Sequence, residues 1–502
     1  MRVLVIGAGL AGLSATERLL DEKAEVVVVD SFPLPGGRVA SFEAETHVAG
    51  LVPGDIVEHG LHAWFQHYHA LFGLMERAGV PKPAFAGRGI YFWHPGSGHT
   101  VIEGGPFLWL INALKLPEPL RGPRGVALRA FSRLIAALQG ALANPDETDR
   151  ATAISVLRDA GVPEPAIQHI FRPCLFSLTS LSLEELSALE FLRWMSNILP
   201  DPRIRCVPGG GTQAMCAPIT AGLRARGADF RFGVEVTALS VDADGRVRAT
   251  LAKAPDRTGV RHVLVPGFQP AEPPDADSFD AIVCTLPWDR LLQVTRDEPK
   301  LQELPAFQEM KALRNVHPLT IRLWFERPLE GTGERYVLCS GTLFDVLRPT
   351  PERQRYPGVH LVDALVENIE THLPDFEYRG ERYIPPGADH DGILATVLQD
   401  LERLYPGQIA NNRLMRSFLH TREGIIACRP GVWNRRPSQY LGRSDFVLAG
   451  DWTRQPYGVC MEGAVRSGEL AVRALMSGTP RAPSRTAFGQ LSHRMRSIFD
   501  FG

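Results

Sequence analysis

The sequence predicts an α/β fold in which a Rossmann-like nucleotide-binding domain, assembled from discontinuous segments, carries an inserted mixed-sheet domain and a helical subdomain. Three observations predict it. The chain opens on the apolar run Val3 to Ile6, followed by Gly7, Gly9 and Gly12 and a helical segment. A second apolar run, Glu25 to Val29, closes on Asp30. More than four hundred residues further on, FVLAGDWTRQPYGVCMEGAVRSGELAV again reads strand, turn and helix.

Each element has its own reason. Gly7 permits the tight turn, Gly9 lets a pyrophosphate approach the backbone, and Gly12 lets the helix pack on the strand, so phosphates would sit at the helix N-terminus beside Ala11. Asp30 follows Gly12 by eighteen residues, where a ribose hydroxyl needs an acceptor. A turn-capping role for this carboxylate is the alternative. In PGGRVAS, Gly36 and Gly37 bring backbone N–H groups near the pyrophosphate, and Arg38 adds a fixed charge. From 106 to 200 the segments FLWLINAL, VALRAFSRLIAALQGAL, AISVLRDAG and LEELSALEFLRWMSNIL repeat apolar residues at helical spacing. Strand texture returns with FRFGVEVTALSVD, RVRATLAKA and FDAIVCTLP, then PLTIRLWFERPL and RYVLCSGTLFDVL. Residues 350–392 read as irregular, before the helix GILATVLQDLERLYP. The expected division is 1–75, 205–290 and 430–476 for the nucleotide-binding domain, 291–429 for the mixed sheet, 76–204 for the helical subdomain and 477–502 for a tail.

Composition narrows the class. A chain of 502 residues can bury a large core, and a net charge of -2 with 22% charged residues leaves no electrostatic footprint for nucleic acid. The seven cysteines show no CxxC pairing, so neither a metal site nor a disulfide framework is expected, and a reducing, cytoplasmic location fits. No secretory signal is expected ahead of the first strand, and the longest apolar run, PFLWLINALKLPEPL, is too short and interrupted to span a bilayer.

The fingerprint, GGRVAS, EHGLH at 58–62 and the C-terminal AGDWTRQPYGVCMEGAVRSG together resemble the FAD-containing amine oxidase and phytoene desaturase superfamily. The closest likeness is to plant and cyanobacterial carotenoid desaturases, and it runs from residue 1 to about 476. It implies an FAD-binding domain of the glutathione reductase type with FAD held non-covalently, and a mixed-sheet substrate domain over it. Carried over by residue, the resemblance puts Asp30 and Ser31 at the adenosine ribose and Arg38 at the pyrophosphate. His62, Ala63 and Tyr68 would lie along the cofactor, with Gly60 and Leu61 in the same motif. Val236 would hold the adenine, and Gly450 and Asp451 would meet the ribityl or pyrophosphate oxygens. Met461 would offer its N–H to the flavin N1/O2 edge, where a helix N-terminus stabilises the anionic reduced flavin by about 0.3–2 kcal/mol. Glu58 either contacts the cofactor or orients His62. Val459, Cys460 and Ala214 would face substrate.

Two departures bear on the branch. Monoamine oxidases of this superfamily carry a tyrosine immediately before the methionine of the last helix, where this chain has Cys460. They also keep a lysine near the flavin N5, whereas no lysine follows Lys311 here. Both point away from amines. At the position of a plant desaturase arginine stands Ala214, which leaves the isoprenoid open. The implied reaction is hydride transfer to the flavin from an activated C–H of a hydrophobic, carotenoid-like substrate, forming a C=C bond without a protein acid–base dyad. A quinone or dioxygen would reoxidise the flavin. Peripheral attachment to the inner face of the cell membrane is expected through the stretch Phe107 to Leu138 or the tail. The alternatives are a hydroxysqualene dehydroxylase, a carotenoid isomerase and an amine oxidase.

Overall fold

Five short parallel strands organise one half of the computed structural model. Their order is Phe446–Leu448, Ala281–Cys284, Arg2–Ile6, Glu25–Asp30 and Asp229–Phe232, so segments from both chain ends and the middle share one sheet. The structure describes residues 1–478 except 45–46, 48–49, 59, 61, 86–88, 95–97, 104–117, 199–200, 202, 206–210, 256–267, 276–278, 332–335, 350–357 and 381. Strands Arg2–Ile6 and Glu25–Asp30 are buried over nearly their whole length, the continuous apolar texture that a sheet covered on both faces requires. The first helix, Leu10–Asp21, lies against the last, Met461–Ser477. Ser14 Oγ donates to the Val465 carbonyl at 2.8 Å, and a Cβ on Gly468 would come within 2.3 Å of the Ala11 carbonyl oxygen. The two glycine-spaced segments are therefore held side by side by direct helix contact.

The second half is an eight-stranded mixed sheet ordered Arg382–Tyr383, Leu414–Thr421, Leu319–Phe325, His360–Val366, Val346–Pro349, Val337–Cys339, Gly89–His94 and Gly98–Glu103. Its pairings are antiparallel except Val337–Cys339 with Gly89–His94. The helix Ala388–Leu404 buries Ile393, Val397, Leu401 and Leu404 in the core of this sheet. Two regions correct the sequence reading. His360–Val366 lies inside the stretch read as irregular, yet it pairs on both sides within the sheet. It shows no alternation because nearly every residue is buried, including Asp363, which faces Arg322 of the neighbouring strand. The hairpin Gly89–His94 and Gly98–Glu103 falls in the block read as helical, and its helices begin only after it.

Within 106–200 the helices Arg124–Ala143, Ala153–Asp159, Arg172–Thr179 and Ala188–Ile198 form a separate layer. FLWLINAL, residues 107–117 of the stretch expected to meet a membrane, and nearly all of the tail lie outside the described residues. Among the described residues no helix is long and apolar enough to cross a membrane.

Candidate functional site

A cavity of about 1040 Å³ opens beyond the C-terminal ends of the parallel strands, where an open α/β sheet places its ligands. The strand ends deliver its floor. Ile6 leads into Gly7, Gly9 and Ala11; Val29 into Asp30 and Ser31; Cys284 into Thr285, Leu286 and Pro287; Leu448 into Gly450 and Asp451. The mixed-sheet half supplies an opposing polar wall that includes Asn315, His317, Tyr378, Arg382 and Arg422.

The three fingerprint glycines have different reasons to be glycine. Gly7 has φ +104° and leaves no room for a side chain, since its Cβ would lie 2.3 Å from Thr285 Oγ1. At Gly12 a Cβ would stand 1.9 Å from the Gly7 carbonyl oxygen. Gly9 differs: its nearest protein atoms would be 3.9 Å away, an ordinary contact, at Gly36 and Gly37. The protein does not need a glycine there. The space over Gly9 belongs to the cavity, which fits a phosphate-bearing group laid across the turn.

Asp30 caps backbone as well as lining the cavity. Its Oδ2 accepts from the Ala8 N–H at 2.7 Å and its Oδ1 from the Phe32 N–H at 2.8 Å. Arg38 pairs with Asp451, 413 residues away, and joins the two chain ends across the cavity. At the other end the last helix begins with Met461 after the extended residue Cys460, and no side chain caps it. Its first-turn N–H groups make that end favourable for negative charge. Burial above all pushes the Cys460 thiol up to about 12, so it stands in the cavity wall as a neutral thiol.

Of the residues singled out in the sequence, Gly7, Gly9, Ala11, Asp30, Ser31, Gly36, Gly37, Arg38, His62, Val236, Gly450, Asp451, Val459, Cys460 and Met461 line the cavity. Among the described residues, Gly12, Glu58, Gly60, Ala63, Tyr68 and Ala214 do not line it. Gly12 is consumed by packing, and Arg422 presses on Gly60, whose Cβ would meet its Nη1 at 2.1 Å. Ala63 packs against the core. Glu58 is fully buried, with Oε1 accepting the Thr212 N–H at 2.9 Å. Tyr68 is buried beside Cys460, and burial first, then Cys460, hold its phenol well above the usual range. Ala214 is exposed near the start of the helix Gln213–Ala225, so the expectation that it faces substrate finds no support in its position. Leu61 lies outside the described residues. Sequence reasoning missed Thr285 to Pro287, although their place directly after an apolar strand is a usable signal. It also missed His317, Tyr378 and Arg382, which tertiary topology alone brings to the site.

The model of the family described as flavin containing amine oxidoreductase matches residues 10–476. The 15-cis-phytoene desaturase of Synechococcus elongatus is 24% identical over 496 residues, covering 95% of this chain and 96% of that protein. The probable zeta-carotene desaturase of the same organism is 24% identical over 506 residues, covering 95% and 98%. An oxidoreductase from Methanosarcina mazei superposes with a TM-score of 0.65 at 16% identity, covering 95% of this chain and 100% of that one. Putrescine oxidase bound to putrescine gives 0.63 at 12% identity over 95% and 99%, and reduced UDP-galactopyranose mutase 0.62 at 15% over 96% and 94%. These structural likenesses show a common fold.

Proposed function

Because the chain belongs to the flavin-containing amine oxidoreductase family and is a flavin-dependent oxidoreductase, we propose that it binds FAD non-covalently and desaturates a hydrophobic, isoprenoid-like substrate. Bound FAD would supply a hydride acceptor at N5, with a proton leaving the neighbouring carbon to complete a C=C bond. The chain's own residues bind, orient and exclude water. Gly9, Ala11 and the N-terminus of the first helix would hold the pyrophosphate, Asp30 and Ser31 the ribose, and Arg38 and Asp451 the linker between the two halves. The Met461 N–H would meet the edge that becomes negative on reduction.

One observation carries the choice of substrate: the cavity edge before the last helix is formed by Val459, Cys460 and Met461. It is two apolar side chains and a neutral thiol, none of which selects an ammonium ion, and the full-length relatives are named as carotenoid desaturases. The neutral thiol also disfavours covalent attachment, because the thiolate is the nucleophile. Reoxidation would fall to a quinone or dioxygen. The test is anaerobic mixing of the FAD-loaded protein with polyene and amine substrates. Bleaching of the flavin by polyenes, and release of unmodified FAD on denaturation, are expected. Bleaching by amines alone would sink the proposal, and turnover that requires prior flavin reduction would reassign the site to a redox-neutral isomerase or to a dehydroxylase that consumes the reduced flavin.

A further inference from the structure

Behind the cavity edge lies a buried ionic cluster that no sequence motif announced. Glu190, Arg193 and Arg436 are 3%, 4% and 1% exposed. The first two belong to the inserted helix Ala188–Ile198, and Arg436 follows the short helix Val432–Arg435. Glu190 Oε1 accepts the Val459 N–H at 3.0 Å. Its Oε2 stands 3.8 Å from both Arg193 Nη1 and Arg436 Nη1. Arg436 in turn donates to the carbonyls of Asp451 at 2.6 Å, Trp452 at 3.1 Å and Thr453 at 2.8 Å. Arg193 lies over the Trp433 ring, 3.8 Å from its centroid.

The loop from Asp451 to Val459 is thus held at both ends, by Arg436 at its start and by Glu190 at its finish. Both end residues line the cavity. Burying one carboxylate with two guanidiniums carries a desolvation cost that apolar packing would avoid. The cluster is therefore weakly explained by stability, and its geometry supplies another explanation. Its charge also reaches the cavity: Glu190 is among the acids that add to burial in raising the Cys460 thiol.

We propose that Glu190 is a positioning residue of the flavin site, which fixes the Val459–Met461 turn from the inserted helical layer and balances the two arginines behind the flavin edge. The proposal rests on the FAD reading of the same cavity. Wild-type protein that takes up no FAD overturns both, whereas a defect missing only from the variants overturns this one.

The experiment measures FAD affinity, the visible spectrum of the bound flavin and its midpoint potential in purified wild-type and variant protein. Loss of a buried hydrogen bond to a charged acceptor predicts that E190A binds FAD about tenfold to a hundredfold more weakly, with an altered flavin spectrum. E190Q keeps an acceptor for the Val459 N–H and should recover most of the affinity. Its midpoint potential should rise, because two guanidiniums lose their counter-charge and favour the anionic reduced flavin. A folded E190A with wild-type affinity and spectrum overturns the proposal. If E190A does not fold, G458A decides. A Cβ on Gly458 would meet Trp194 Nε1 at 2.8 Å and Glu190 Oε1 at 2.9 Å, prising the turn off Glu190 without changing any charge. It should reproduce the weaker binding and the altered spectrum. Wild-type binding by G458A overturns the proposal.

Discussion

Gly9 and Gly12 stand three residues apart in one motif, yet they answer to different physics. Gly12 is fixed by the protein, since the Gly7 carbonyl oxygen already occupies the place of its Cβ. Gly9 has open space above it, so only a bound group can demand its bareness. Gly12→Ala should therefore destabilise the protein by about 1–3 kcal/mol whether or not FAD is present. Gly9→Ala should change the unfolding free energy of the apoprotein by no more than about 1 kcal/mol, the cost of a poorer helix N-cap, while FAD affinity collapses. Thermal unfolding with and without FAD checks both, and equal destabilisation by the two would refute the distinction. The same contrast explains what could be read in advance at this scale. Gly7 and Gly36 take positive φ in tight turns, and Asp30 and Arg38 stand in the same short motifs, so local sequence displays all four even though Asp30 reaches Ala8 and Arg38 reaches Asp451. Glu58 meets its partner Thr212 across 154 residues, and nothing near Glu58 in the sequence reveals that encounter.

At the level of elements, the last helix does more than present Met461. Glu462, its second residue, is fully buried and accepts the N–H groups of Ala70 at 3.0 Å and Leu71 at 2.9 Å, capping the helix His69–Arg77. Arg466 Nε donates to the same carboxylate at 2.7 Å. One helix therefore orders the cavity edge, the segment after EHGLH and, through Gly468, the first helix. Gly468→Ala would drive a Cβ to 2.3 Å from the Ala11 carbonyl oxygen and 2.9 Å from the Ala15 nitrogen. The expected cost is about 1–3 kcal/mol of stability, together with weaker FAD binding, because Ala11 lines the cavity floor. A variant with unchanged unfolding and flavin retention would show that the two helices separate without consequence. The strand and helix of this element were plain in the sequence because their periods are strong. The strand His360–Val366 was not, because a fully buried strand has no polar face to alternate with, and a buried Asp363 imitates a loop residue.

At the scale of the whole molecule the cavity lies between segments of the parallel and mixed-sheet halves, and the junction of the helical layer with the mixed sheet is titratable. At the left-handed residue Ser180, which ends the helix Arg172–Thr179, Oγ donates to Glu367 Oε2 at 3.0 Å. Asn368 Nδ2 donates to the Ser180 carbonyl at 2.9 Å. Asp345 accepts the Glu367 N–H at 2.8 Å and pairs with His372 Nε2 at 3.0 Å. Burial, and then the charge of Asp345, push Glu367 up to about 8, outweighing Arg422 and the Ser180 hydrogen bond. Burial alone would lower His372, but its hydrogen bond to Asp345 and that charge prevail and raise it. The two groups act in the same direction. Between its ordinary value of 4.5 and about 8, the folded protein keeps on Glu367 a proton that the unfolded chain has released, so stability falls as pH rises through that window. The His372 contribution is complete below its ordinary 6.5 and is lost as pH climbs through its raised value. The midpoint of thermal unfolding should therefore drop by about 3 °C from about pH 6 to about pH 9. In Glu367→Gln, which is neutral throughout, the drop should shrink to the part that His372 and other groups supply. An equal drop in the variant and the wild type would remove Glu367 from the account, and with it the idea that the helical layer docks on the mixed sheet through a protonated carboxyl.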